Sequence, residues 1–485
     1  MIGESVRIHD KFSIEIKLAY LPDQNKDVTD MAVNSWIFVP NSLDINRSTF
    51  EKKEFYRTIK SKIRLVTPSY TLQEIANPEQ LPLRQLNQAF LDLAERPTRL
   101  VIAAYEYQIR MFVSIVRSAL RDEVNAFAGI PDDIESTIAI ESFASYLRTI
   151  MLHYREQRTI LNAQATGRQL FDYYAFGDEF LSNLSELNAF RLMERLANEA
   201  DKDSPGYLSL HALIDEEREY RKERGYAIPD KESLDGNRAL VFRLGLLKKY
   251  AENELFLDVD KRKDGVWAEQ IYLSLAAGLS MVFATAIAFS VQQKYGSFTM
   301  PLFVALVVSY MLKDRIKERI RYFLAYRKER SFFDHKTRIS LGHVSIGWIK
   351  EAMDFVHGGN VSQDILRLRD RSAILEADNR SHSEKVILYR KLVRISRKAL
   401  NSCSNYPVEG IHELIRFNIT PFIPFMDDPD FPLYTTDDQG DVARIIGEKV
   451  YYLNLVLELK CQGTIRYQRY RIALNRKGIR GMEKL

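Results

Sequence analysis

The chain carries only two cysteines, Cys403 and Cys461, in 485 residues. That scarcity excludes a disulfide framework, and two thiols cannot complete a structural zinc site without histidine or carboxylate help. The short signatures of nucleotide and metal chemistry are missing as well. There is no G-x-x-x-x-G-K-[ST], no G-x-G-x-x-G, and no H-E-x-x-H among the eight histidines. His9, His153 and His211 are scattered singles, which read as surface or packing residues. Residues 1–11 lack the apolar core of a secretory signal, so export of the long segment that follows is not expected. Internal repeats and long low-complexity tracts are absent too. A net charge of +4 is too small to imply affinity of the whole molecule for nucleic acid. The sequence therefore assigns no catalytic, cofactor-binding or metal-ligating residue, and no cofactor is expected.

The most informative absence is of charge within two apolar runs, Ile271 to Val291 and Tyr295 to Leu312, separated only by Gln292, Gln293 and Lys294. Each run matches the length a helix needs to cross roughly 30 Å of hydrocarbon. The first offers only Ser274, Ser280, Thr285 and Ser290 as polar groups, and all four hydroxyls can bond back to their own helix. A core helix of a soluble domain normally keeps a polar stripe, and none is visible here. The second run begins with turn-like residues and carries Pro301 near its start, where a missing N–H does least harm. Together they predict a transmembrane helical hairpin.

Basic residues set the expected orientation. Lys261, Arg262 and Lys263 precede the first run, and Lys313, Arg315, Lys317, Arg319 and Arg321 follow the second, whereas the turn holds only Lys294. Basic flanks stay on the cytoplasmic side, so both termini are expected there, in an integral protein of a bacterial inner membrane. Trp267, Tyr272 and Tyr310 would lie at the inner interface, with Tyr295 and Phe298 at the outer one. Without ionisable groups inside the runs, a pump or ion pathway built from this hairpin alone is disfavoured. Ala276, Ser280, Ala284 and Ala288 recur at spacing four on the first helix, and Ala305 and Ser309 on the second. Such small-residue strips let helix backbones approach closely, within one hairpin or between copies, and a homo-oligomer is expected. Beyond Leu312 an apolar face of Ile316, Ile320 and Phe323 continues amid basic residues. Lys313, Arg315, Lys317, Arg319 and Arg321 are thereby candidate contacts for anionic lipid.

The fold class expected is mixed. A helical transmembrane hairpin joins a mainly α N-terminal cytoplasmic domain, which has a small α/β start, to an α+β C-terminal cytoplasmic domain. The divisions are a small mixed module at 1–80, a helical bundle at 81–264, the hairpin at 265–312, a basic juxtamembrane helix at 313–335 and an α+β domain at 336–485. Phe12, Ile14, Ile16 and Leu18 alternate as in a half-buried strand, and Trp36 to Val39 is a second strand ending at Pro40. Ser48 and Glu51 resemble a capping box opening a helix through Phe55, Ile59 and Ile63, closed by Thr67 and Pro68. Ile102, Tyr105, Ile109, Phe112, Val116 and Leu120 recur at helical steps, as do Ile140, Phe143, Leu147, Ile150 and Tyr154. Loops are expected near Asp201 to Gly206 and Gly225 to Gly236, followed by a stripe from Leu240 to Leu255. Glu384 to Leu400 reads as a basic helix, and Leu414 to Ile419, Val450 to Leu459 and Ile465 to Leu474 as strands.

Three weaker signals yield to bland readings. Asp427, Asp428, Asp430, Asp437, Asp438 and Asp441 crowd one loop, but their spacing matches no EF-hand, and a solvated acidic loop suffices. Arg466, Arg469, Arg471, Arg476 and Lys477 interleave with Tyr467 and Tyr470, which suits nucleic acid less well than an edge strand protected against pairing. Gly342 to Gly347, between a strand at Arg338 to Leu341 and an expected helix at Ile346 to Val356, mimics a nucleophile elbow around Ser345. Histidine, however, stands at 343 where G-x-S-x-G requires glycine. The expectation is thus a membrane-anchored scaffold or signalling protein whose partners are the lipid bilayer, further copies of itself and proteins at its cytoplasmic domains. A membrane-permeabilising oligomer and a membrane-bound enzyme with a dispersed site are the alternatives.

Overall fold

The computed structural model describes residues 1–127, 134–162, 168–196, 204–296, 299–331, 333–370, 372, 384–436, 438 and 440–485. In chain order come β1 (Ile2–Asp10), β2 (Ser13–Tyr20), β3 (Val28–Val39), α1 (Lys52–Thr58) and β4 (Ile59–Leu65). The helices α2 (Leu72–Ala76), α3 (Leu81–Glu95), α4 (Arg99–Ala126), α5 (Ile134–Asn162), α6 (Arg168–Leu196), α7 (Pro205–Arg224) and α8 (Leu234–Glu252) follow. Next are β5 (Asp258–Lys263), α9 (Val266–Tyr295), α10 (Met300–Ser331), β6 (His335–Leu341), β7 (Val344–Val356) and α11 (Gln363–Arg369). The chain closes with β8 (Lys385–Ser396), α12 (Arg397–Ser402), β9 (Ile411–Asn418), β10 (Asp430–Thr436), β11 (Val442–Glu448), β12 (Tyr451–Cys461), β13 (Thr464–Asn475) and β14 (Gly478–Lys484). With 52% helix and 30% strand the fold is mixed.

Contacts divide the chain into two compact units. The first joins Met1–Ile63, Asp258–Cys403 and Ile411–Leu485, and the second joins Arg64–Leu257 and Ser404–Gly410. In the first unit a four-stranded sheet has the order β1-β2-β9-β4, and an eight-stranded sheet the order β14-β13-β12-β3-β8-β7-β6-β5. The two sheets share a core. Ile14, Ile16, Ile415 and Phe417 of the smaller line the same 30 Å³ cavity as Ile37, Tyr389, Leu453 and Ile472 of the larger. A second apolar cluster sits around Trp36, Phe38, Val386 and Val456 of the large sheet, where Val361 and Ile365 cover them.

Strands from the beginning and the end of the chain pair directly: β2 with β9, and β3 with both β8 and β12. Segments 1–80 and 336–485, separate in the sequence reading, therefore build the same sheets. Long-range pairing leaves no mark on local periodicity, so neither segment looks incomplete on its own.

Three helices expected from sequence are corrected. Lys385–Ser396 is strand rather than basic helix: Val386, Tyr389, Lys391, Val393 and Ile395 are buried, and Lys391 reads as a solvent-facing charge only until its buried partners are known. Val344–Val356 is also strand, and Gly342 (φ 56°) with His343 makes the hairpin turn that precedes it. Ser345 pairs with Ser340 in that ladder, so no nucleophile elbow exists. Ile59 and Ile63 fall in β4, because α1 ends at Thr58. The side chain of Asn46 accepts from the Ser48 backbone N–H and hydroxyl, and a capping box is formed at Thr71 and Glu74 instead.

The second unit is helical, as its periodicity predicts. Tyr105, Ile109, Phe112, Val116 and Leu120 of α4 and Ile140, Phe143, Leu147, Ile150 and Tyr154 of α5 are buried. Thr98, Ser204 and Ser233 cap α4, α7 and α8 with side-chain oxygens. Gly225, at φ 69°, ends α7 in a conformation that L side chains resist. The loop expected at Asp201 to Gly206 lies partly outside the described residues, while Gly225 to Gly236 does hold the turn before α8.

Candidate functional site: an apolar hairpin on a charged root

Helices α9 and α10 leave and rejoin the first unit between two neighbouring strands. β5 and β6 pair antiparallel from Asp258↔Ser340 to Lys263↔His335, and β5 is the outermost strand of the eight-stranded sheet. Gly265, at φ 69°, turns the chain from β5 into α9. The hairpin is thus an excursion from the tip of an edge β-ribbon.

Among the described residues, one helix is long and apolar enough to cross a membrane by length and composition. That stretch is Leu273–Lys294 within α9, of 22 residues and mean hydropathy 1.9. α10 falls short of the same criterion. Its helix starts at Met300 and meets Lys313 after Leu312, which leaves roughly 20 Å of uncharged helix at 1.5 Å per residue. The run expected from Tyr295 is shortened because its first residues lie in the connection, where Gly296 breaks the helix at φ 78°. Phe298, expected at the outer interface, lies outside the described residues.

The small residues meet inside the hairpin. α9 and α10 pack on each other, with Ala276 1%, Ser280 2% and Ser309 3% exposed, and Ala284, Ala288 and Ala305 half-buried. Four hydroxyls bond back into their own helices, Ser280 to the Ala277 carbonyl at 2.9 Å, Thr285 to Met281 at 2.9 Å, Ser290 to Ala286 at 2.8 Å and Ser309 to Leu306 at 3.0 Å. The large apolar side chains point the other way. Leu275, Val282 and Phe289 of α9 and Phe303, Val304 and Met311 of α10 are all more than half exposed. Monomers in water rarely show a continuous apolar face of more than a few hundred Å².

The five basic residues expected at lipid surround α10 just past this face. Lys313 is half-buried with its ammonium 3.9 Å from the Tyr310 ring centroid. Arg315, Lys317, Arg319 and Arg321 are exposed, and Arg321 lies 3.7 Å from Glu318. Steps of two turn a helix by roughly 200°, so these charges form a collar rather than a stripe.

The root of the hairpin is a charge network that sequence reasoning missed. Asp334 receives Lys52 at 3.1 Å and the Tyr56 hydroxyl at 2.8 Å, and its backbone N–H donates to the Glu351 carbonyl at 2.8 Å. Lys52 also reaches Asp354 at 3.2 Å, and Lys350 pairs with Asp264 at 2.9 Å. Deeper in, Lys391 is 2% exposed and bonds Glu413, which also accepts from Tyr20 at 2.9 Å and Ser61 at 2.7 Å. Glu351 accepts from Tyr389, pairs with Lys261 of β5, and has Lys391 at 4.0 Å. Charges therefore run from the sandwich interior to both strands that carry the hairpin.

Burial pushes the Glu351 carboxyl up, but Lys391, Lys261 and Tyr389 outweigh it and hold the group below the usual range. Burial together with Lys261 depresses the His335 imidazole. Lys52 is raised because Asp334 and Asp354 outweigh its own desolvation. The one sequence signal for this network is the period-two phase that places Lys391 on the face of Tyr389 and Val393.

The remaining candidates stay apart from the hairpin. Asp427 bonds Lys449 and the Tyr451 hydroxyl, Asp430 bonds Lys477, and no cluster of metal-ligand residues occurs among the described residues. Asp437 lies outside those residues. β13 is covered by β14, so it is not an edge; Arg469 and Arg471 pair with Asp370 and Glu483. Both cysteines are free thiols. No family model matches the chain, and no curated protein or solved structure matches it either.

Proposed function

We propose that the α9–α10 hairpin inserts in a lipid bilayer and anchors both units at the cytoplasmic face, making the protein a membrane-tethered scaffold or signalling component. The observation that carries this reading is the inverted packing of the hairpin: small residues inside, large apolar ones outside with nothing from the described chain over them. Hydrocarbon satisfies such a surface, and water does not. The collar of Lys313, Arg315, Lys317, Arg319 and Arg321 then sits among headgroups. Lys313, laid along Tyr310, can extend its ammonium to the interface, and a short α10 run is accommodated by local thinning of the bilayer. With the termini of the hairpin at one ribbon tip, both units stay on one side, which the basic flanks make cytoplasmic. Self-association belongs to this reading through the outer faces, because the small-residue seam is already occupied within one hairpin.

The test is flotation of the full chain with phosphatidylcholine liposomes, beside a variant in which a two-residue Asn-Gly turn joins Asp264 to Asp334. The full chain should float and resist alkaline wash, while the excised variant stays in the supernatant with its strand signal in circular dichroism intact. A full chain that stays dispersed and monomeric in detergent-free buffer would overturn the proposal. Release of an entrapped dye by the full chain would replace anchoring with the permeabilising alternative.

A further inference from the structure

The helical unit contains a cleft of about 630 Å³, within the range of small-ligand sites, lined entirely by its own residues. Helices α4, α6 and α8 form most of it, with Arg218 of α7 also in the lining. Tyr105 near the start of α4 donates to the Leu170 carbonyl near the start of α6 at 3.0 Å, and Arg195 near the end of α6 reaches Val124 near the end of α4, so these two run parallel. α8 runs against α6, with Arg243 2.7 Å from Glu179 and Tyr250 stacked on Tyr173.

Phe180, Leu184 and Leu187 follow one another at helical spacing on α6, and Leu240 and Leu244 face the same cleft from α8. Arg191 continues the α6 stripe one turn further. Because Arg195 lies 3.3 Å from Asn125, the residues four earlier on each parallel helix, Arg191 and Arg121, occupy adjacent turns at that end. The lining holds six cationic side chains against two carboxylates. Both carboxylates are committed: Glu186 to Arg218 and Arg221, Glu252 to Arg117 and Arg64. Among the described residues Arg191 and Lys248 make no ion pair, and Arg121 bonds Asp122 and the Ser118 hydroxyl at the rim.

An apolar stripe flanked by surplus positive charge is complementary to one kind of molecule. We infer that this cleft binds an anionic amphiphile, its alkyl chain along Phe180, Leu184, Leu187 and Leu244 and its phosphate or carboxylate head at Arg121 and Arg191. Free phosphate would leave the stripe uncovered, and a neutral amphiphile would leave the arginines unmatched. The cleft is built from residues of the helical unit and the hairpin from residues of the other, so flotation of the full chain reads anchoring without reading this cleft.

The experiment titrates octyl phosphate, below its micellar concentration, into full-length protein in phosphatidylcholine nanodiscs, with the heats of empty discs subtracted. Octyl glucoside and inorganic phosphate are the neutral-chain and headgroup-only arms. Octyl phosphate should bind saturably and both other probes at least about tenfold more weakly, the worth of one lost charge-assisted or apolar contact set. Arg191→Glu should weaken octyl phosphate about tenfold and Leu187→Asp about fivefold. Both residues are exposed enough for the fold to survive, which an unchanged melting temperature verifies. Equal binding of inorganic phosphate or octyl glucoside, indifference to both substitutions, or no saturable heat at all would each overturn the assignment.

Discussion

The hairpin and the sandwich from which it springs solve opposite packing problems. In α9 and α10 the contact seam is small and the large apolar side chains face outward; between the two sheets the apolar side chains face inward and enclose Lys391, Glu413 and Glu351. On the anchoring proposed above, one chain encodes two solvents. A helix pair meant for hydrocarbon gains nothing by hiding leucine and gains close approach by hiding alanine and serine. A sandwich meant for water must hide its isoleucines, and tolerates charge inside only when every carboxylate has a cation and hydroxyls around it.

The sharpest way to break this comparison is to unbalance the sandwich. Lys391→Met leaves Glu413 and Glu351 buried without their shared cation, and should cost about 3–5 kcal/mol of stability in denaturant titration. A double change with Glu413→Gln should recover a large part of that loss, and failure to do so would show that the lysine acts through packing alone. In the hairpin the equivalent insult is a charge on the outside. Val282→Arg, in the middle of the α9 face, should raise the cost of insertion by about 2.5–3.5 kcal/mol and shift protein from the floating to the soluble fraction, while leaving denaturation of the sandwich unchanged. A uniform effect on both would erase the distinction between the two regions.

Overfilling the seam is a smaller perturbation. Ser280→Leu, at a position 2% exposed, should destabilise the α9–α10 pairing by about 1–3 kcal/mol, read as faster proteolysis at the hairpin tip. Leu275→Ala on the outer face should leave that rate unchanged. The smallest effect is acid sensitivity at the root. The depressed imidazole of His335 gives stability that is complete above its ordinary value of 6.5 and is lost as pH falls below it. The depressed carboxyl of Glu351 does the same below its ordinary value of 4.5. Melting temperature should therefore decline in two stages on acidification, and His335→Gln should remove only the upper one.

Much of the helical unit was legible because α4 and α5 carry their burial pattern in consecutive turns, and Tyr105 to Leu120 can be found without knowing what they touch. The small-residue seam was legible for the same reason, since Ala276, Ser280 and Ser309 need only helical spacing to be recognised. Strand identity failed where it depended on partners. Lys385–Ser396 contains two lysines and two arginines, and reads as strand only once β3 and β7 flank it. Val344–Val356 failed likewise, its Trp348, Lys350 and Met353 fitting a helix until β6 and β8 fix the register.

Composition and periodicity by themselves determined that an uncharged helix sits in the middle of the chain, that basic residues follow it, and that a long helical region precedes it. These properties depend on neighbours within a few residues, so local spacing suffices. Only the tertiary structure decided that the hairpin grows from an edge ribbon, that distant ends of the chain share sheets, and that Lys391 is an interior cation held by Glu413. Those facts rest on contacts between residues many tens to hundreds of positions apart or on opposite sheets, where the stabilising energy comes from pairing that no single segment contains.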